Sequence, residues 1–274
     1  MSPDGKRIAY SNTTGSARSI YIYDLSSSAL PRRLTFGGRN RFPIWSADGL
    51  RVAFQSDRDS DLAIFWQRAD GTDAGERLTR PEPGTSHVPN AWSPQGDALV
   101  YTVSKNSTFS AWRFSLGERK AEPLSGVTTP VGGGMPQPSF SPDGHWLAYR
   151  SVEPGSTVYV QPFPATGARY QITSGSSPVW SRDGTKLFFT GNRENQLGVV
   201  SINTRGVVTT ENRETFDAPL AVTTLTTSSF DVAPDGRILV PVAAEAPHLE
   251  PPTAPRIHIV ANWFEELKAR VPPK

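Results

Sequence analysis

Trp45-Ser46-Ala47-Asp48-Gly49, with Arg51-Val52-Ala53-Phe54 one residue further on, is the stretch that decides the fold. A large aromatic closes one apolar segment, a four-residue turn follows, and a β-rich run opens the next. Aspartate can bond to backbone beyond itself, and glycine supplies a positive φ. The stretch therefore reads as a tight hairpin turn between two strands. Five more segments share the pattern: Ser2-Pro3-Asp4-Gly5, Ser93-Pro94-Gln95-Gly96, Ser141-Pro142-Asp143-Gly144, Ser181-Arg182-Asp183-Gly184 and Ala233-Pro234-Asp235-Gly236. Their glycines lie 44, 47, 48, 40 and 52 residues apart. A blade of four strands in a β-propeller takes about 40–50 residues.

The surrounding residues fit that unit. Trp92, Phe140 and Trp180 also precede their turns, and β-rich runs follow at 7–10, 98–101, 146–149, 186–189 and 237–240. A third strand is expected at 20–23, 63–66 and 158–160. A short fourth strand is expected to end in a Leu-Thr-like pair: Leu34-Thr35, Leu78-Thr79, Leu124-Ser125 and Ile172-Thr173, with residues 207–209 taking that place in the fifth unit. The expected fold is all-β: a six-bladed β-propeller of four-stranded antiparallel blades spanning 1–262, followed by a short C-terminal helix and tail at 263–274. Asn262 and Glu265 suit the start of that helix, Lys268 and Arg270 its end, and Pro272-Pro273 stops it.

Composition agrees. The chain of 274 residues has 23 Gly and 25 Pro for turns, and 7 Trp, 7 Tyr and 13 Phe for a core. A net charge of +2 without a concentrated basic stripe points away from nucleic acid. With no cysteine, disulfides, zinc thiolates and a cysteine nucleophile are excluded. No apolar run approaches the roughly 18–20 residues that cross a bilayer.

The repeats resemble those of TolB-type propellers, which are six-bladed and periplasmic. Residues 45–49, Ser56-Asp57-Arg58-Asp59, Ala69-Asp70-Gly71-Thr72 and Arg77-Leu78-Thr79 stand in the order of one such repeat. The C-terminal stretch from His258 to Lys268 resembles the tail of propellers that follow membrane-anchored bacterial serine/threonine kinase domains. That resemblance implies an extracytoplasmic sensor or docking module, here without kinase motifs of its own.

The first unit begins at its turn, and the sixth runs from strands near 230–232, 237–240 and 257–261 into the helix. One inner and one outer strand are therefore expected from a segment upstream of Met1, on the order of 15–20 residues.

Several stretches carry a chemical reading beside a plain structural one. Asp57, Asp59 and Asp61 have the alternate spacing of a calcium loop, but Leu62 and Arg68 stand where Gly and Glu would be required. They read as a strand-connecting loop with at most a weak cation site. The turns differ from sialidase Asp-boxes in setting Asp and Gly adjacent. A prolyl-peptidase would need Gly-x-Ser-x-Gly, which is absent. Ser86-His87 reads as ordinary loop. His87, His145, His248 and His258 share no ligand spacing. Trp66, Trp112 and Trp146 read as packing residues.

Binding is expected at the face opposite the Asp-Gly turns, on the loops 37–41, 56–61, 80–89, 127–136, 191–195 and 243–255. The candidate contacts are Arg39, Arg41, Arg58, His87, Lys105, Glu153 and Arg193. The function expected is a non-enzymatic, monomeric module for protein or peptide partners, without cofactor, metal, nucleic acid or membrane segment. The alternative is a propeller hydrolase or lyase with its site at the channel mouth.

Overall fold

The computed structural model describes residues 1–14, 17–153, 155–193, 195–218 and 230–241. The expected C-terminal strand, helix and tail, the loop 243–255, His248 and His258 lie outside these residues. Six antiparallel sheets are described, four of them four-stranded. Blade 1 holds β1 (Arg7–Thr14), β2 (Ala17–Asp24) and β3 (Arg32–Arg33). Blade 2 holds β4 (Asn40–Trp45), β5 (Arg51–Ser56), β6 (Ala63–Arg68) and β7 (Glu76–Arg77). Blade 3 holds β8 (Ser86–Trp92), β9 (Ala98–Lys105), β10 (Thr108–Ser115) and β11 (Lys120–Pro130). Blade 4 holds β12 (Ser139–Phe140), β13 (Trp146–Ser151), β14 (Thr157–Pro162) and β15 (Tyr170–Ser174). Blade 5 holds β16 (Ser176–Trp180), β17 (Lys186–Thr190), β18 (Gln196–Asn203) and β19 (Thr209–Asp217), and blade 6 holds β20 (Asp231–Val232) and β21 (Ile238–Leu239). The first strands of consecutive blades touch, β4 with β8, β8 with β12, β12 with β16 and β16 with β20, so they gather around one axis.

The repeated turn builds each blade from the same hydrogen bonds. In blade 2 the Ser46 N–H donates to the Arg51 carbonyl at 2.9 Å, and the Arg51 N–H returns to Ser46 Oγ at 2.9 Å. The Ser46 hydroxyl donates to Asp48 Oδ1 at 2.5 Å, which also accepts the Leu50 N–H at 2.9 Å. Gly49, at φ 68°, closes the turn by donating to the Ser46 carbonyl. Ser2–Asp4, Ser141–Asp143 and Ser181–Asp183 repeat this network. In blade 3, where Gln95 holds the aspartate's place, the Ser93 hydroxyl donates instead to Asp97 at 2.5 Å. Blade 6 has Ala233 for serine and a tighter loop, its N–H reaching the carbonyl of Arg237, four residues on rather than five.

Apolar clusters lie between blades, as alternation along each strand requires. Val52 and Phe54 face Ile20, Ile22 and Leu34 of blade 1, while Ala53 and Ile64 face Leu99, Tyr101 and Val103 of blade 3. The turns also touch. A Cβ on Gly49 would lie 3.4 Å from Pro3, on Gly96 3.7 Å from Ala47, on Gly144 3.4 Å from Pro94 and on Gly184 3.6 Å from Pro142. At Gly5 it would lie 2.8 Å from Pro234, which brings the turn of blade 6 against that of blade 1.

Four expectations are corrected. The Leu34-Thr35 and Leu78-Thr79 pairs follow β3 and β7 rather than ending them. There the threonine leaves the strand and its Oγ1 accepts the N–H of Ile20 or Ile64 at 2.9 Å. Leu124-Ser125 lies in the middle of β11, whose pairing shifts between Ser110 and Trp112, so residues 127–130 are strand rather than loop. The fourth strand of blade 5 begins only at Thr209 and is almost wholly exposed, an edge whose polar residues carry no apolar alternation. Finally, residues 86–89 belong to β8, so Ser86-His87 is strand rather than loop.

Candidate functional site

The chemistry-bearing side chains form two groups, one opposite the Asp-Gly turns and one in a cleft that runs from that face along blade 3 to Arg119 in the β10–β11 connection. The first joins blades 1 and 2. Arg39 donates through its backbone N–H and its Nε to the Asp57 carboxylate, both at 2.6 Å, with its side chain 59 % exposed. The Arg58 guanidinium lies 4.8 Å from the Phe65 ring centroid and 5.3 Å from that of Phe54. It also donates to the Ala74 carbonyl and to Asn40 Oδ1. Burial lowers its pKa, and burial with the neighbouring Arg18 and Arg39 lowers that of Arg41. Arg41 stands on β4, its buried Nε without a hydrogen bond.

The three aspartates of the 56–61 loop are held by arginines. Asp57 pairs with Arg39, and Arg77 spans Asp59, at 3.1 Å, and Asp61. The Arg77 Nε also donates to the Thr79 carbonyl at 2.9 Å, as Arg33 does to Thr35 one blade earlier. Among the described residues no group of three or more histidines or acids could hold a metal ion.

The second group lines a cleft of about 450 Å³ between blades 2 and 3. Its floor is the blade 3 packing face: Tyr101, Val103 and Phe114, all more than nine-tenths buried, with Leu78 from blade 2 and the half-buried Trp112. Its rim carries Arg77, Arg80, Lys105 and Arg119 against the single acid Glu82. The cleft is open because β7 has two residues while β11, at the outer edge of blade 3, has eleven. Lys105 pairs with Glu82 at 2.6 Å and Arg119 with Glu76 at 2.8 Å. Arg80 is exposed and has no hydrogen bond or ion pair to a described residue.

His87 belongs to this wall. Its N–H donates to the Leu62 carbonyl at 2.9 Å, its own carbonyl accepts from Gln55 at 2.8 Å, and its ring lies 5.0 Å from that of Tyr101. Burial pulls its pKa down to about 4, against a smaller upward pull from Asp61. The imidazole is neutral at pH 7, and its buried Nδ1 has no hydrogen-bond partner among the described residues.

Of the residues singled out from the sequence, Arg39, Arg41 and Arg58 thus come together, and His87 and Lys105 share the cleft. Glu153 and Arg193 are exposed, and no hydrogen bond or ion pair among the described residues links them to either group. Sequence reasoning missed Arg80, Arg119 and the role of Trp112 as a cleft wall. The sequence carries no signal for them, since the segment between Gln67 and Leu78 is as long as that between Tyr23 and Leu34.

Comparison with known proteins agrees with this architecture. The family described as the TolB beta propeller domain matches residues 1–132. An uncharacterized protein of Agrobacterium fabrum is 33% identical over 156 residues, covering 54% of this chain and 52% of that protein, so the match spans about half the length of that curated relative. The crystal structure of TolB from Acinetobacter baumannii superposes with a TM-score of 0.69 at 20% identity, over 88% of this chain and 59% of that one. An oligogalacturonate lyase from Vibrio parahaemolyticus superposes with a TM-score of 0.58 at 13% identity, over 88% of this chain and 84% of that one. At such identities the superpositions speak for the fold alone. Repeated turns, antiparallel blades and these likenesses converge: the chain is a β-propeller that over residues 1–132 resembles the TolB beta propeller domain.

Proposed function

We propose that this propeller is a non-enzymatic binding module for protein or peptide partners, acting through the face opposite the Asp-Gly turns. The observation that carries the reading is the cleft between blades 2 and 3. It combines a fixed apolar floor with a cationic rim, on a scaffold where Arg39, Arg58 and the three aspartates of the 56–61 loop are held by internal partners. An apolar pocket with a few placed polar groups is the usual form of a recognition site. An extracytoplasmic setting belongs to the same proposal and rests on the resemblance of the repeats.

The rival reading is a lyase or hydrolase at the channel mouth, and a shared fold with an oligogalacturonate lyase does not decide between them. Two measurements on the full chain do. Incubation with oligogalacturonate, with and without manganese or calcium, is expected to produce no unsaturated uronate chromophore. Selection from displayed random heptapeptides is expected to enrich a common pattern with Kd values in the micromolar range, about −8 kcal/mol. Turnover of the sugar, or selection that enriches nothing, overturns the binding-module reading.

A further inference from the structure

We propose that the cleft between blades 2 and 3 docks an acidic peptide segment, with a carboxylate on Arg80 and an adjacent aromatic or large aliphatic side chain against Trp112. This deepens the binding-module reading and rests on it.

Three observations carry the assignment. The first is charge: four cations stand on the rim against Glu82, and while Arg77, Lys105 and Arg119 are paired with acids, Arg80 is not. An unpaired, exposed guanidinium can grip a carboxylate through two parallel N–H bonds. The second is the floor. Tyr101, Val103 and Phe114 are anchored in the core between the blades, so the wall beneath Trp112 is fixed before a ligand arrives. The Trp112 indole N–H is already donated to Ser110 Oγ at 3.0 Å, which leaves its ring as apolar contact surface.

The third is His87. Its Nδ1 lies in a residue only 7 % exposed and has no partner, although a buried polar atom left unpaired is costly. His87 lines the cleft, and an extended peptide brings N–H and C=O groups together with its side chains, so that a turn of the imidazole towards the cleft would satisfy this nitrogen in either tautomer. A bare anion offers no apolar group to the floor, and a uronate chain has no large apolar side chain for Trp112. The peptide meets all three features at once.

The test uses the full chain and two displayed heptapeptide libraries. One fixes Asp or Glu beside Phe, Trp, Tyr or Leu at its centre, and the other carries Asn or Gln in place of the acid. The acidic library is expected to enrich, with binding that weakens as salt rises. Arg80→Ser should lower the affinity of the selected peptides at least tenfold at an unchanged melting temperature, because Arg80 makes no hydrogen bond or ion pair with a described residue. Trp112→Ala should do the same, and Trp112→Phe should restore most of the loss, which separates lost contact from lost stability.

Selected peptides that bind Arg80→Ser and Trp112→Ala as tightly as the unaltered chain would place docking elsewhere, overturning the cleft but not the binding module. Enrichment from the neutral library alone would overturn the acidic class. Enrichment from neither library would overturn the acidic-peptide assignment, while the random heptapeptides decide the binding module by themselves. Oligogalacturonate binding that depends on Arg80, with no peptide selected, would assign the cleft to an anionic sugar and overturn the peptide.

Discussion

At the scale of single residues, the repeat is defined by the bonds it closes. Blade 3 shows this, because the Ser93 hydroxyl finds Asp97 two positions beyond the site where other blades hold aspartate. Asp97→Ala is therefore expected to cost about 1 kcal/mol, whereas Gln95→Ala at an exposed site should stay within about 0.5 kcal/mol. Urea denaturation midpoints at constant m-value check the contrast. His87 supplies a pH signature. Its folded pKa of about 4 lies below the 6.5 of a free histidine, so the unfolded chain binds the extra proton. Its contribution is complete above pH 6.5 and is lost as pH falls towards 4, on the order of 3 kcal/mol at the low end. Asp183, lowered to about 2 by the Ser181 hydroxyl and the Thr185 N–H, acts further down. Its contribution is present above pH 3.8 and lost as pH falls towards 2. In melting curves between pH 4.5 and 7, His87→Gln should flatten the acid limb while Asp183→Asn leaves it in place.

At the scale of the strand and its connections, charged loop residues divide by what holds them. Arg58 lies over the Phe54–Phe65 pair and bonds to Ala74 and Asn40, tying the β5–β6 connection to the β6–β7 connection and to the start of β4 within blade 2. Arg58→Ala is expected to cost about 2 kcal/mol, and Arg58→Lys nearly as much because a single ammonium cannot serve these partners together. Arg39→Ala, at a well-exposed ion pair, should cost less than about 1 kcal/mol. Chemical denaturation of the three variants checks the order. The sequence could rank neither, since both are arginines in equivalent-looking loops. Their difference lies in Phe54 and Phe65, brought beneath Arg58 by the pairing of β5 with β6. The strands and their order, by contrast, were readable because each turn is a local arrangement of four or five residues. Polar β19 escaped because an exposed edge needs no apolar pattern.

At the scale of the molecule, blades meet through their turns as well as through their faces. Gly5 and Gly236 both have positive φ, 71° and 84°. A Cβ at Gly5 would press on Pro234, whereas at Gly236 it would meet nothing within 4 Å. Gly236→Ala should cost about 1 kcal/mol from backbone conformation alone, and Gly5→Ala clearly more. Hydrogen exchange should place the difference in β1 and β20, where blades 1 and 6 adjoin. The cleft was illegible in the sequence for a reason of the same scale. Arg80, His87, Trp112 and Arg119 belong to two repeats, and what joins them is the uncovered space beside a two-residue strand.

The contacts between turns have a consequence for how such a chain can change. The distance from one turn to the next along the sequence varies from 40 to 48 residues among the first five, yet these turns keep touching along one rim. Extra length is therefore discharged at the opposite rim, where it does not reach the neighbouring joints. One end of the molecule behaves as a fixed chassis and the other as a set of independent sockets. Segments can be lengthened, shortened or exchanged there one at a time, so recognition can drift between descendants of the same ring while its assembly is inherited unchanged.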